Sequence, residues 1–134
     1  MRSILRSHGS LTAKIFVVSL GFLLLAVTIN SGATEQTWTG VIGDSHCGAA
    51  KHPTEYRGRK ITERECILGT EDGEVRGCIR GGGEFILVSG GKVYKIRNQD
   101  FAGLRVHAAD NVRLTGELAG DTITVKSITK LSGK

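Results

Sequence analysis

The residue types best suited to chemistry gather in one polar stretch: Asp44, His46, Cys47 and His52 come first, and Cys66 and Cys78 follow. Cysteine and histidine together suit zinc or a softer transition ion, and structural zinc takes four such ligands. Cys47, His52, Cys66 and Cys78 are therefore the candidate metal ligands, with zinc or copper as the ion. Their spacing lacks the paired short intervals of a zinc finger. In an oxidising compartment thiols pair, and three cysteines leave one over. The preferred reading is a disulfide between two of the cysteines, with the choice among the three pairings open. Thiol chemistry is a further alternative. A nucleophilic cysteine needs a nearby base and a positive environment. His46 adjoins Cys47, but neighbours on an extended chain point to opposite faces. His52 is the better base if Gly48-Ala49-Ala50-Lys51 turns. No C-x-x-C pair is present. Asp44-Ser45 reads as a turn or helix cap, because both side chains readily bond local amides.

Other candidates are weaker. Gly81-Gly82-Gly83 has no G-K-[ST] after it and precedes a strand, so it reads as a flexible lead into a hairpin and not as a phosphate loop. His107 reads as a surface or capping residue. Lys92, Lys95, Arg97, Arg105 and Arg113 could form a basic face, and oligonucleotide-binding barrels combine such faces with stacked aromatics. The aromatics available are Trp38, Tyr56, Phe85, Tyr94 and Phe101, several of which belong in a core. No complete catalytic constellation is present, so no catalytic residue and no enzymatic activity is assigned. No cofactor is assigned beyond the possible zinc or copper ion.

These residues sit behind a leader. Arg2, Arg6 and Lys14 precede an apolar run from Ile15 to Ile29, and Ser31-Gly32-Ala33 follows it. This is the order of a signal peptide, with a mature start near Thr34. The run is short for a bilayer span, which needs roughly 20 apolar residues. Residues 1–33 are thus read as a signal helix, touching the membrane only through that segment if it stays uncleaved, and the expected location is periplasmic or secreted. The formal charge of +5 falls to +2, with 15 Lys and Arg against 13 Asp and Glu, once Arg2, Arg6 and Lys14 are set aside. A nucleic-acid binder carries a concentrated basic excess; the remaining charge argues against that class.

Residues 34–134 must position the cluster. Gln36–Ile42 reads as a first strand. Residues 43–83 read as a long Cys/His-bearing loop with a possible short helix over Ile61–Leu68; a loop of that length should be tied down or functional. Glu84–Ser89 and Lys92–Arg97 are strands joined by Gly90-Gly91, a two-residue hairpin signal, with Val93, Tyr94 and Ile96 expected inside. Phe101, Leu104 and Ala108 predict one or two helical turns. Asn111–Leu118 and Thr122–Ile128 alternate as two more strands around Ala119-Gly120-Asp121. The expectation is an all-β domain with minor helix: a small five-stranded OB-like barrel, its short helix between strands 3 and 4.

The stretches W-T-G-V-I-G-D-S-H-C-G, C-I-R-G-G-G-E-F-I-L-V and K-V-Y-K-I-R-N-Q-D resemble a family of small exported bacterial proteins built on an uncharacterised domain. Asp44, Ser45, Cys47 and Gly48 form the D-S-x-C-G motif, and the likeness runs from Trp38 to about Ile128. Cys66 and Cys78 stand twelve apart here, where the family keeps these two cysteines close. The resemblance implies an exported β domain and brings no activity. Together these readings predict a non-enzymatic envelope or secreted module that binds a small ligand or an envelope protein. A metal- or thiol-handling protein and an oligonucleotide-binding module are the alternatives.

Overall fold

A computed structural model of the chain describes residues 34–132. The signal helix expected over residues 1–33 and its cleavage point lie outside the described residues. The described chain is mostly strand: β1 (Glu35–Asp44), β2 (Glu55–Tyr56), β3 (Arg59–Lys60), β4 (Phe85–Ser89), β5 (Lys92–Ile96), β6 (Asn111–Ala119) and β7 (Thr122–Lys130), with helices α1 (Glu63–Leu68) and α2 (Ala102–Val106). Five strands form one sheet in the order β1-β4-β5-β7-β6, and β1 also pairs with β6, so the sheet returns on itself.

The pairings are uneven. β1 matches β6 from Glu35↔Glu117 to Val41↔Asn111, whereas β5 meets β7 in parallel over only Lys95↔Thr122 and Ile96↔Ile123. The chain lengthens this short seam with a side chain. Asn98 donates from Nδ2 to the Val125 carbonyl at 2.9 Å and accepts the Val125 amide on Oδ1 at 2.8 Å, standing in for the next strand residue. Gln99 does the same for the start of β4, bonding both the amide and the carbonyl of Phe85.

The expected elements are largely present. Gly90 and Gly91, both at positive φ, make the turn between β4 and β5, as a two-residue hairpin loop requires. Leu104 of α2 and the following Ala108 are buried, as their spacing predicts. The core joins Ile42, Leu87, Ile96, Leu104, Val112, Leu114 and Ile123. Val93 is exposed, contrary to expectation: in a strand of period two it shares the outer face with Lys95, while Tyr94 and Ile96 turn inward.

The segment 43–83 is the main correction. It is not a loose loop, because β2 and β3 form a small hairpin within it and α1 follows. The described residues therefore hold seven strands, five of them in the main sheet. Thr62 caps α1 with a full capping box: its Oγ1 accepts the Glu65 amide at 3.1 Å, and the Glu65 carboxylate accepts the Thr62 amide at 2.7 Å. That Thr-x-x-Glu signature starts the helix at Glu63, two residues past the expected Ile61. Ile67 of α1 enters the main core, and Arg64 donates to the carbonyls of Arg105, Val106 and Ala108 at the end of α2.

Candidate metal centre

The Cys/His segment leaves and rejoins the sheet at one rung. Asp44 ends β1 opposite Phe85, the first residue of β4. One step outward, the Ser45 amide donates to the Glu84 carbonyl at 2.8 Å and Ser45 Oγ accepts the Glu84 amide at 3.0 Å. Ser45 is thus a clamp between distant segments and not the local cap its type suggests. The chain between these posts folds around a small second core of Ile61, Cys66 and Val75, against which Cys47 and Cys78 pack. The Cys78 and Ile79 amides bond the Cys66 and Ile67 carbonyls at 2.9 and 3.0 Å, laying the third cysteine beside α1.

Asp44 is fully buried. Its Oδ1 behaves as a turn residue should, accepting the amides of His46 and Cys47 at 2.9 and 3.0 Å. Its Oδ2 has no hydrogen-bond partner and faces the equally unpartnered Nδ1 of His52 at 3.4 Å. The His52 side chain is only 8 % exposed. A buried carboxylate oxygen without a partner is costly, and among the described residues only Asp44 Oδ2 and His52 Nδ1 are buried side-chain polar atoms without one. Either a proton or a cation shared through the imidazole would complete their contact.

The donors form two trios. One donor atom each from Cys47, His52 and Cys66 lie within 4.8 Å of one another, and Asp44, His46 and Cys78 meet the same limit. Zinc bonds of about 2.3 Å to sulfur and 2.0 Å to nitrogen put tetrahedral ligands roughly 3.3–3.8 Å apart. Shifts of about an ångström would therefore close either trio on an ion. Three of the four predicted ligands, Cys47, His52 and Cys66, come together. Cys78 falls into the other trio, with Asp44 and His46, although its backbone lies beside Cys66. Asp44 and His46 stand in the D-S-H-C run, but a turn explains Asp44 from sequence alone, and only its burial reveals a spare oxygen.

All three cysteines are free thiols, so the disulfide expected from the compartment is not formed. Cys47 and Cys78 both pack against the small core that holds Cys66, and no pair of the three is disulfide-bonded. Burial, then the Asp44 charge, pushes the Cys78 thiol up to about 12. Burial, then Cys47, also raises Cys66.

The remaining candidates take structural places. His107 caps the end of α2 and contacts Asp110 at 3.3 Å. Gly81–Gly83 is no loose lead: the Gly81 and Gly83 amides bond the Cys78 carbonyl at 3.1 and 2.9 Å. Lys95 pairs with Asp121, Lys92 lies over the Tyr94 ring, and Tyr94 leans on Trp38 at 5.9 Å between centroids. No family model matches the chain, and no curated protein or solved structure matches it either.

Proposed function

We propose that this chain is an exported, non-enzymatic OB-like module that holds a borderline-to-soft transition ion, zinc or copper(I), on Cys47, His52 and Cys66. The observation that carries the reading is the buried contact between Asp44 Oδ2 and His52 Nδ1, which have no other partner. Metal-bound histidine commonly donates its second ring nitrogen to a carboxylate, which fixes the tautomer and raises ligand basicity. With Nδ1 turned to Asp44, Nε2 is left for the ion beside the two thiols. Thiolate and imidazole donors favour zinc and copper(I) over hard ions.

The OB-like part of the reading is supported by the strand order. Counting the sheet strands alone, it runs first, second, third, fifth, fourth, with α2 between the third and fourth, consistent with a small Greek-key barrel. Export is supported by the leader pattern of residues 1–33.

Native mass spectrometry of the reduced protein, after titration with zinc or copper(I), tests this. One ion per chain is expected in the wild type and none in Cys47→Ser or His52→Ala, with far-UV circular dichroism unchanged. An ion-free wild type, or equal retention by both variants, overturns the assignment.

A further inference from the structure

Resting on that metal reading, we propose that Asp44, His46 and Cys78 form a second, solvent-reachable ligand set through which the ion reaches and leaves the buried trio. The two trios differ in access. In the inner one, Cys66 is 8 % exposed, the His52 side chain equally so, and Cys47 half-buried; a hydrated ion must shed water to meet all three donors. In the outer one, Asp44 is fully buried and Cys78 half-buried, and the exposed His46 is what opens the set to solvent. His46, Cys66 and Cys78 together line a cleft of about 300 Å³, walled by Pro53, Tyr56, Ile61 and Val75. Those walls offer an ion little to bind, so the sulfur and imidazole donors are its attachment points inside the cleft.

The trios are joined at two places. Cys78 and Cys66 line the same cleft and are tied by the 2.9 Å backbone bond between them, so an ion on Cys78 lies next to an inner ligand. Asp44 links both sets, lying within 4.8 Å of Cys78 and His46 in the outer trio while its Oδ2 faces His52 of the inner one. The imidazole of His46 is held at the mouth by close packing: a Cβ on Gly83 would stand 2.9 Å from His46 Nδ1. Transfer then proceeds by ligand exchange with no change of oxidation state. The bonds to His46, Cys78 and Asp44 break as those to Cys66, Cys47 and His52 form. Each thiol that binds as thiolate releases its proton to water, and the thiolate left behind takes one back.

A route differs from a resident ligand in what it changes. Removing a resident donor weakens equilibrium affinity, whereas removing a relay donor slows uptake and release together and leaves the affinity in place. The test is stopped-flow zinc uptake by the reduced protein and zinc release to a chromophoric chelator, with competition titrations giving the Kd. For His46→Ala, both rates should fall tenfold or more with Kd within about threefold of wild type. Cys78→Ser should behave likewise, guarding against a local effect of the histidine change alone. Unchanged rates in both variants overturn the route. A tenfold weaker Kd for either residue does so too, because it makes that residue a resident ligand. Two zinc ions per wild-type chain, falling to one in His46→Ala, would make the outer set a second storage site and likewise overturn it. If the wild type takes up no zinc or copper(I), the metal reading itself fails, an outcome distinct from the other three.

Discussion

The five-stranded sheet and the segment inserted between β1 and β4 are held together in different ways. The sheet buries Ile42, Leu87, Leu104, Val112, Leu114 and Ile123 completely and closes through strand ladders. The inserted segment has only Ile61, Cys66 and Val75 as its own core, with two further thiols against them. It borrows the rest of its order through the Ser45–Glu84 clamp, the Arg64 bonds to the end of α2, and Ile67 in the main core. A core one-third cysteine gains little from burial alone, and its buried Asp44 oxygen is unpartnered. The sheet therefore stabilises itself, while the segment is where an ion would add most. Bound ion at a hundred times its Kd adds about 2.7 kcal/mol.

The largest effect that separates the two regions should come from the sheet. Leu114→Ala empties a fully buried site, and such truncations cost about 2–5 kcal/mol. Urea denaturation should record that loss equally in metal-free and zinc-loaded protein. A loss that shrinks when zinc is added would mean that the two regions share one stability and that the contrast is false.

A smaller and more selective effect is expected at their junction. Asp44→Asn keeps the Oδ1 acceptor for the His46 and Cys47 amides and removes only the charge facing His52. Loss of such a carboxylate partner weakens metal sites 10–100-fold. Taking away a buried, unpartnered charge should not destabilise the metal-free fold. Competition titration and apo-protein denaturation, measured on the same variant, check both halves. A large apo-state loss with unchanged affinity would make Asp44 a purely structural residue.

What could be read from sequence divides along the same line. The sheet was legible because alternation and two-residue turns are local signals. Even the bulge of β7 is written there, since Ile123 and Val125 keep step while Ile128 falls one residue late, where the β6 register shifts. The closing seam was not legible, because Asn98 and Gln99 act as backbone mimics and their amide types say nothing of that role. In the inserted segment, the cysteines and histidines were identified as chemistry-bearing. Their division into two trios was not, because it depends on where the fold of the segment sets Cys78, carried back beside α1 by the 2.9 Å Cys78–Cys66 backbone bond. The disulfide expected from the compartment is not shown there: redox setting predicts pairing, whereas three free thiols pack around one small core.

The smallest effect lies on the surface of the inserted segment and tests whether its order has an electrostatic part. Asp72 accepts from Arg59 Nη1 at 2.8 Å, from the Thr70 hydroxyl and from the Glu74 amide. The Arg59 bond, foremost, holds its carboxyl well below the usual carboxylate range. A depressed folded-state pKa means that the contribution is complete above the unfolded value, about 3.9, and is lost as pH falls through the folded one. Asp72→Asn keeps the acceptor for Thr70 and Glu74 but loses the charge. The variant should therefore be slightly less stable than wild type at pH 7, and the gap should begin to narrow as pH falls below about 4. Because the pair is exposed, the difference should be small and should fade in high salt. Urea midpoints between pH 3 and 7 give the comparison. A gap that persists unchanged into acid would assign the Asp72 contribution to its neutral hydrogen bonds, leaving thiols, capping and borrowed contacts as the whole of what orders the segment.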